Sequence, residues 1–218
     1  MSIADPGPHH KIDLATWERT ELFRLFSGFT EPYHGICLRL DCTEAFAFAK
    51  ANQLSVFLTF VHCALTAAHR VENFHHRIVD GEPWRYERID SGCAVGRPNG
   101  TIGFAHYQFS ENILEFAPRA SAEVERVKNR TDLERYPHTN VIRFSTLPWL
   151  DFTSLSHARN FAVEDAAPRI TFGKMTEAEG RRTMPVSIHV HHALVDGLHL
   201  AHFVDELQKR LADPGAAV

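Results

Sequence analysis

Apolar positions along the chain follow two periods, and these lay out most of its elements. In "DLATWERTELFRLFSG" Trp17, Leu22, Leu25 and Phe26 share one face of a helix from Trp17 to Phe26, and Gly28 offers its stop. "YHGICLRLD" alternates Ile36, Leu38 and Leu40 with polar or small residues, the pattern of a half-buried strand. Thr43 is placed to cap a short helix in "EAFAFAKA". Ser55 does the same for "VFLTFVHCALTAAHRV", which is apolar nearly all round and so predicts a buried helix. Strands are expected in "HHRIVDG", "WRYERI" and "TIGFAHYQF", separated by Gly, Pro and Asn turns. "SENILEFAPRASAEVERVKNR" reads as helical, with Pro118 placed to kink or divide it.

The last third is strand-rich. "NVIRFSTLPW" and "DFTSLSHARN" flank a Pro-Trp break, and "RITFGKMTEAEGRRTMPVSIHVHH" reads as two strands joined across Glu177 to Arg182. Leu200, Phe203, Val204, Leu207 and Leu211 then recur at helical spacing, which predicts a closing helix. The sum is a mixed sheet covered by helices. No repeat or linker divides the chain, so residues 1–218 are expected to form a single domain, with 1–12 a loose arm.

Composition changes this picture little. Hydrophobic residues are 44% and charged residues 23% of 218, ordinary for a globular protein. A net charge of −4 supplies no basic field for nucleic acid or anionic lipid, so neither is an expected partner. The longest apolar stretch is too short and polar to span a bilayer. No basic, apolar leader opens the chain, and Cys37, Cys42, Cys63 and Cys93 show no CxxC spacing. A cytoplasmic protein with reduced cysteines is the expectation.

Candidate chemistry gathers in "IHVHHALVDGLHL", residues 188–200. Alternation puts His189 and His191 on one strand face, and His192 falls where the strand turns towards the closing helix. His189 with His191, or His199 with His202 and Glu206, could share a cation. Zinc needs three or four ligands with a supported second shell, and nothing else completes a set, so no metal is expected. A metal- or ligand-binding protein without enzymatic activity is the alternative from a different class.

The string "HHALVDG" resembles the H-H-x-x-x-D-G signature of the chloramphenicol acetyltransferase family, which precedes a closing amphipathic helix. Three further segments resemble that family in order: "TWERTELFRLF", its opening helix; "LPWLDFTSL", its L-P-W-x-x-F-x-S segment; and "PRITFGK", its P-x-I-T-x-x-K stretch. The likeness runs from about Lys11 to Leu211. It implies an α/β (α+β) two-layer sandwich, with a mixed sheet packed against helices. The implied activity is acetyl transfer from acetyl-coenzyme A, as cosubstrate, to a small-molecule hydroxyl acceptor, chloramphenicol first among them. His192 would be the general base and Ser154 the oxyanion donor. Asp196 and Arg19 would pair to brace the turn, with Thr171 assisting near Ser154 and Gly197 easing the start of the last helix. A homotrimer with sites at subunit interfaces is implied too, each His192 acting on an acceptor held chiefly by its neighbour.

The spacing of Asp196 from His192 argues against a catalytic triad, because a carboxylate four residues on in a turn need not meet the imidazole. Phe26 stands where drug-acetylating members of the family carry a tyrosine. The apolar wall survives there and the hydroxyl does not, which leaves the acceptor's identity open. Phe104 in "TIGFAHY" is a second candidate for the acceptor wall, with a core role equally open. Lipoamide acyltransferase cores share the H-x-x-x-D-G string, but 218 residues are expected to leave no space for their lipoyl and subunit-binding modules.

Overall fold

The computed structural model describes residues 5–216. In chain order the elements are β1 (His9–Lys11), α1 (Thr20–Ser27), β2 (Tyr33–Asp41), α2 (Thr43–Ala51), α3 (Val56–Ala68), β3 (His76–Val79), β4 (Glu82–Tyr86), β5 (Asp90–Gly96), β6 (Ile102–Tyr107), α4 (Ile113–Lys128), β7 (Val141–Thr146), β8 (Arg169–Phe172), β9 (Thr176–Ala178), β10 (Arg181–His191) and α5 (Gly197–Ala212). The main sheet runs β2-β10-β8-β7-β5-β6, with β9 paired to the start of β10. β7 lies parallel to both β8 and β5 while the other neighbours are antiparallel, so the sheet is mixed. A separate antiparallel sheet, β1-β4-β3, stands beside it.

One face of the main sheet carries the core. Val186, Ile188 and Val190 of β10 join Ile170 and Phe172 of β8 and Phe144 of β7 there, all buried. α3 is the central helix, with every residue from Leu58 to Ala68 buried and Ser55 Oγ accepting the Leu58 N–H at 3.4 Å as its cap. α5 lays Leu200, Phe203, Leu207 and Leu211 into the same core, so the closing helix has the predicted face. Helices on one side of a mixed sheet make the two-layer sandwich.

Because strand side chains alternate, the opposite face carries what the core does not. Register pairs Gly35 with His189, Cys37 with Ser187, Thr171 with Ser187 and Arg169 with His189. Further out it pairs Arg143 with Arg169 and Phe104 with Ala94. This helix-free face is polar or small-sided near β10 and crossed by the chain between β7 and β8.

The structure corrects several expectations. Residues 9–11 are not a loose arm: they pair with Tyr86, Arg85 and Trp84 of β4, and the His9 ring stacks on Tyr86 at 4.8 Å. Three residues are too few for a readable alternation, and backbone pairing holds them. Residues 1–4 of that arm lie outside the described part. α1 starts at Thr20 rather than Trp17, since Asp13 O accepts the Trp17 N–H and the Thr20 hydroxyl bonds to Leu14 O and Trp17 O, closing a turn first. β5, "DSGCAVG", has no strand-like composition and is a central strand through its two neighbours. Pro118 sits inside an unbroken α4, and the carbonyl it leaves unpaired belongs to Leu114, an exposed residue. "DFTSLSHARN", 151–160, forms no strand. Gly197 opens α5 with a Cβ direction that meets nothing and no left-handed φ, so it is not required for the turn.

Candidate active site

β10 is long enough to carry its last residues past the core to the mouth of α5. There the chain turns through 192–196. His192 N–H donates to Pro32 O at 2.8 Å, which extends the β2–β10 ladder by one bond. Leu194 and Val195 N–H groups both donate to His191 O at 3.0 Å, and Asn73 Nδ2 donates to Leu194 O at 2.8 Å. The turn is thus fastened from β2, from β10 and from the segment before β3.

Arg19, just before α1, supplies the fourth anchor. Its Nε donates to Ala193 O at 2.8 Å and Nη2 to His192 O at 2.7 Å. Nη1 and Nη2 each reach one Asp196 oxygen at 2.5 Å, a bidentate fork. Arg19 is 8% exposed, so these charge-assisted bonds form largely out of water. Hydrogen bonding from Arg19 is the chief reason that the Asp196 carboxyl lies below the usual carboxylate range. Asp196 N–H in turn donates to His199 Nδ1 at 3.0 Å, which leaves the His199 proton on Nε2.

Contrary to the spacing argument, the Asp196 carboxylate does approach the imidazole: His192 Nδ1 lies 3.2 Å from Oδ1. The approach is not aligned for a hydrogen bond, and Nδ1 is buried without a partner. Both carboxylate oxygens already face Arg19. The His192 side chain is 33% exposed, so with Nδ1 buried its open edge is the one carrying Nε2. A neutral ring with its proton on Nδ1 therefore turns a lone pair outward.

The ring is held from above and below. Phe26 stacks on it at 3.8 Å and 5°, and His34 lies 4.2 Å away at 32°. His34 Nε2 bonds to Val195 O at 3.0 Å. Burial, more than any neighbouring charge, lowers the basicity of His34. His34 was not legible as a site residue, since only the β2–β10 register brings it beneath the turn. Pro32 and Asn73 act through backbone or a side-chain amide and left no signal.

The other predicted residues lie elsewhere in the chain. Ser154 is exposed on the 147–168 crossing, which is pinned where Leu147 N–H donates to Phe172 O and Lys174 N–H to Leu150 O, both 2.8 Å. The crossing then runs along the helix-free face, with His157 edge-on to His189 at 4.9 Å and the Arg159 guanidinium over the Tyr33 ring at 3.7 Å. Ser154 falls in sequence between these anchors, which tie the crossing to β8 and to His189 rather than to the 192–196 turn. Thr171 is buried on β8, and its hydroxyl has no partner among the described residues. Phe104 is 37% exposed on β6, four strands from β10 and so about 20 Å away. One chain therefore assembles His192 with Arg19, Asp196, Phe26 and His34. Ser154, Thr171 and Phe104 lie on other elements: the 147–168 crossing, β8 and β6.

The remaining histidines form no ligand set. His189 Nδ1 bonds Ser187 Oγ at 3.1 Å, and burial pushes His191 down to about 4. Among the described residues, no three His, Cys, Asp or Glu side chains are grouped to hold a metal ion. No helix there is long and apolar enough to cross a membrane.

Comparison with known proteins meets this geometry from another side. The chain is 28% identical to a chloramphenicol acetyltransferase of Bacillus pumilus, over 87% of this chain and 88% of that one. It is 27% identical to one of Streptomyces acrimycini over 97% of both. A solved chloramphenicol acetyltransferase superposes with a TM-score of 0.86 at 27% identity, covering 94% of this chain and all of the other. A dihydrolipoamide acetyltransferase of Azotobacter vinelandii shares the fold, with a TM-score of 0.69 at 19% identity over 89% and 86% of the two chains. A family model described as chloramphenicol acetyltransferase matches residues 8–208, from β1 well into α5, and on that span the chain belongs to the chloramphenicol acetyltransferase family.

Proposed function

We propose that the protein transfers acetyl from acetyl-coenzyme A to a hydroxyl, with chloramphenicol as the first acceptor and His192 as the base. The observation that carries this reading is the outward, half-open edge of an imidazole whose backbone and both faces are held. An alcohol is a weak nucleophile near neutral pH and needs a base within hydrogen-bond reach of its proton. His192 Nε2 takes the acceptor's proton as the oxygen attacks the thioester carbonyl. When the tetrahedral adduct collapses, the C–S bond breaks and His192 returns the proton to the departing sulfur. Atoms and charge balance without a metal.

Ser154 donates a hydrogen bond to the oxyanion in this scheme, a contribution of about 3–4 kcal/mol to the barrier. Thr171, with its buried unpaired hydroxyl, orders a water beside it. Arg19 and Asp196 brace the turn, and Phe26 and Phe104 wall the acceptor. The separation of Ser154 and Phe104 from His192 within one chain supports a site completed by a second copy, as a homotrimer provides. The protein works in the cytoplasm in this reading. Phe26 favours one second reading: without a phenol at that wall, the same transfer acts on a different alcohol.

Thiol release from acetyl-coenzyme A with chloramphenicol and a panel of other alcohols tests both readings. His192→Ala should lower turnover by about 10³-fold or more with its melting temperature little changed. Wild-type turnover in that variant, or no thiol release with any alcohol, would remove the proposal.

A further inference from the structure

The established motif accounts for His192, Asp196 and Arg19, but not for the second imidazole beside them. We propose that His34 is a positioning residue for His192, closing a three-ring clamp of Phe26, His192 and His34 that fixes which edge of the base meets the acceptor. This rests on the reading of His192 as the base.

The geometry carries it. Phe26 lies parallel to the His192 ring at 3.8 Å and so occupies one whole face. His34, with its centroid 4.2 Å away, cannot share that face and covers the other. His34 is itself fixed three ways. Its Cα is paired with Val190 in the β2–β10 ladder, and its Nε2–H donates to Val195 O, inside the turn that carries His192. Two residues before it, Pro32 O holds the His192 backbone. A segment of three residues thus grips His192 by its main chain and by one ring face. Rotation of the imidazole about its Cβ–Cγ bond would sweep its edge through one ring or the other. That restraint keeps Nε2 outward and the proton on the buried Nδ1, a preorganisation worth rate rather than affinity.

A protonated His34 would defeat the arrangement, because it would set a like charge against the base as the base gains its proton. The charged and titratable groups around His34 are His192 and Asp196 in the turn, Arg19 before α1, and His189 on β10. Burial is the largest influence and, with His192 and Arg19, outweighs the Val195 carbonyl and Asp196, which favour the cation, so His34 is held below its ordinary basicity. A charge on His192 thus disfavours one on His34.

Three substitutions separate the ring from the hydrogen bond. His34→Gln can keep the donor to Val195 O but has no ring, His34→Phe keeps a ring without the donor, and His34→Ala keeps neither. The expected result is a fall of about tenfold in kcat for Ala and Gln with acceptor KM within about twofold, and recovery of most of that loss by Phe. Imidazole NMR titration gives the readout that needs no turnover, the His34 signal being the one lost in His34→Ala. Its titration should move to higher pH in His192→Ala, where the covering ring and its like charge are both gone. An unchanged His34 titration in His192→Ala, or a kcat loss in His34→Ala that His34→Phe does not recover, overturns the clamp. Absence of transfer by the wild-type protein would instead overturn the proposed function, and the titration would still decide on His34.

Discussion

The turn that carries His192 and the crossing that carries Ser154 are built to different standards. The turn is pinned by Pro32, Asn73 and four bonds from a single buried arginine, and both faces of its imidazole are covered. The crossing has no ladder over 151–160, and Ser154 stands exposed. A general base must hold its edge to within a fraction of an ångström, and a single chain can do that with backbone and rings. Ser154, the proposed oxyanion donor, lies on a crossing tied to β8 and to His189 rather than to the turn of the proposed base. On the proposed reading, one chain braces its base and leaves the oxyanion side to a neighbouring copy.

The sharpest way to break this comparison is to divide the two residues between chains. His192→Ala and Ser154→Ala proteins, each with little activity, are unfolded together, mixed in equal amounts and refolded. If each site takes its histidine from one copy and its serine from the next, about a quarter of the sites are intact and about a quarter of wild-type turnover returns. If the mixture stays as inactive as its parents, a shared site is wrong. On its own, Ser154→Ala should lower kcat by about 10²–10³ with modest change in KM, the cost of one lost oxyanion donor. A burst of acetylated enzyme abolished by the same substitution would instead make Ser154 a nucleophile.

The unequal construction also explains what could be read in advance. β2 and α5 were legible because each buries one face of a regular period, as Leu38 and Leu40 or Phe203 and Leu207 do. Arg19 and Asp196 came from the family signature, and their pairing is local to two element ends. β5 was not legible, because Ser91, Gly92 and Ala94 owe their strand to β6 and β7 on either side. His34 was missed for the same kind of reason: its partner is 158 positions away and met only through register, while its neighbours in sequence are ordinary strand residues. The shape of the 151–160 crossing was missed because side chains against β10, not a period, set its path. His157 on His189 and Arg159 on Tyr33 are contacts that alternation cannot encode.

Those contacts give the smallest test. His157 on the crossing and His191 at the end of β10 are both held near 4 by burial, as are His69 and His76 elsewhere. Unfolded, each titrates near 6.5. Between about pH 6.5 and 4 the unfolded chain therefore binds protons that the folded chain refuses, and stability falls as pH drops through that window. Below about 4 these four groups add no further loss. His157 Nε2 is also buried without a partner, so a leucine there should do no harm at pH 7.5. At pH 5 His157→Leu should gain about 1–2 kcal/mol over wild type, after discounting for the partial exposure of His157. In a chain of this size that is about 2–6 °C in melting temperature. Melting curves from pH 7.5 to 4 that stay parallel for the two proteins would mean that water reaches His157, and that the Ser154 crossing is looser against β10 than its ring contact with His189 implies.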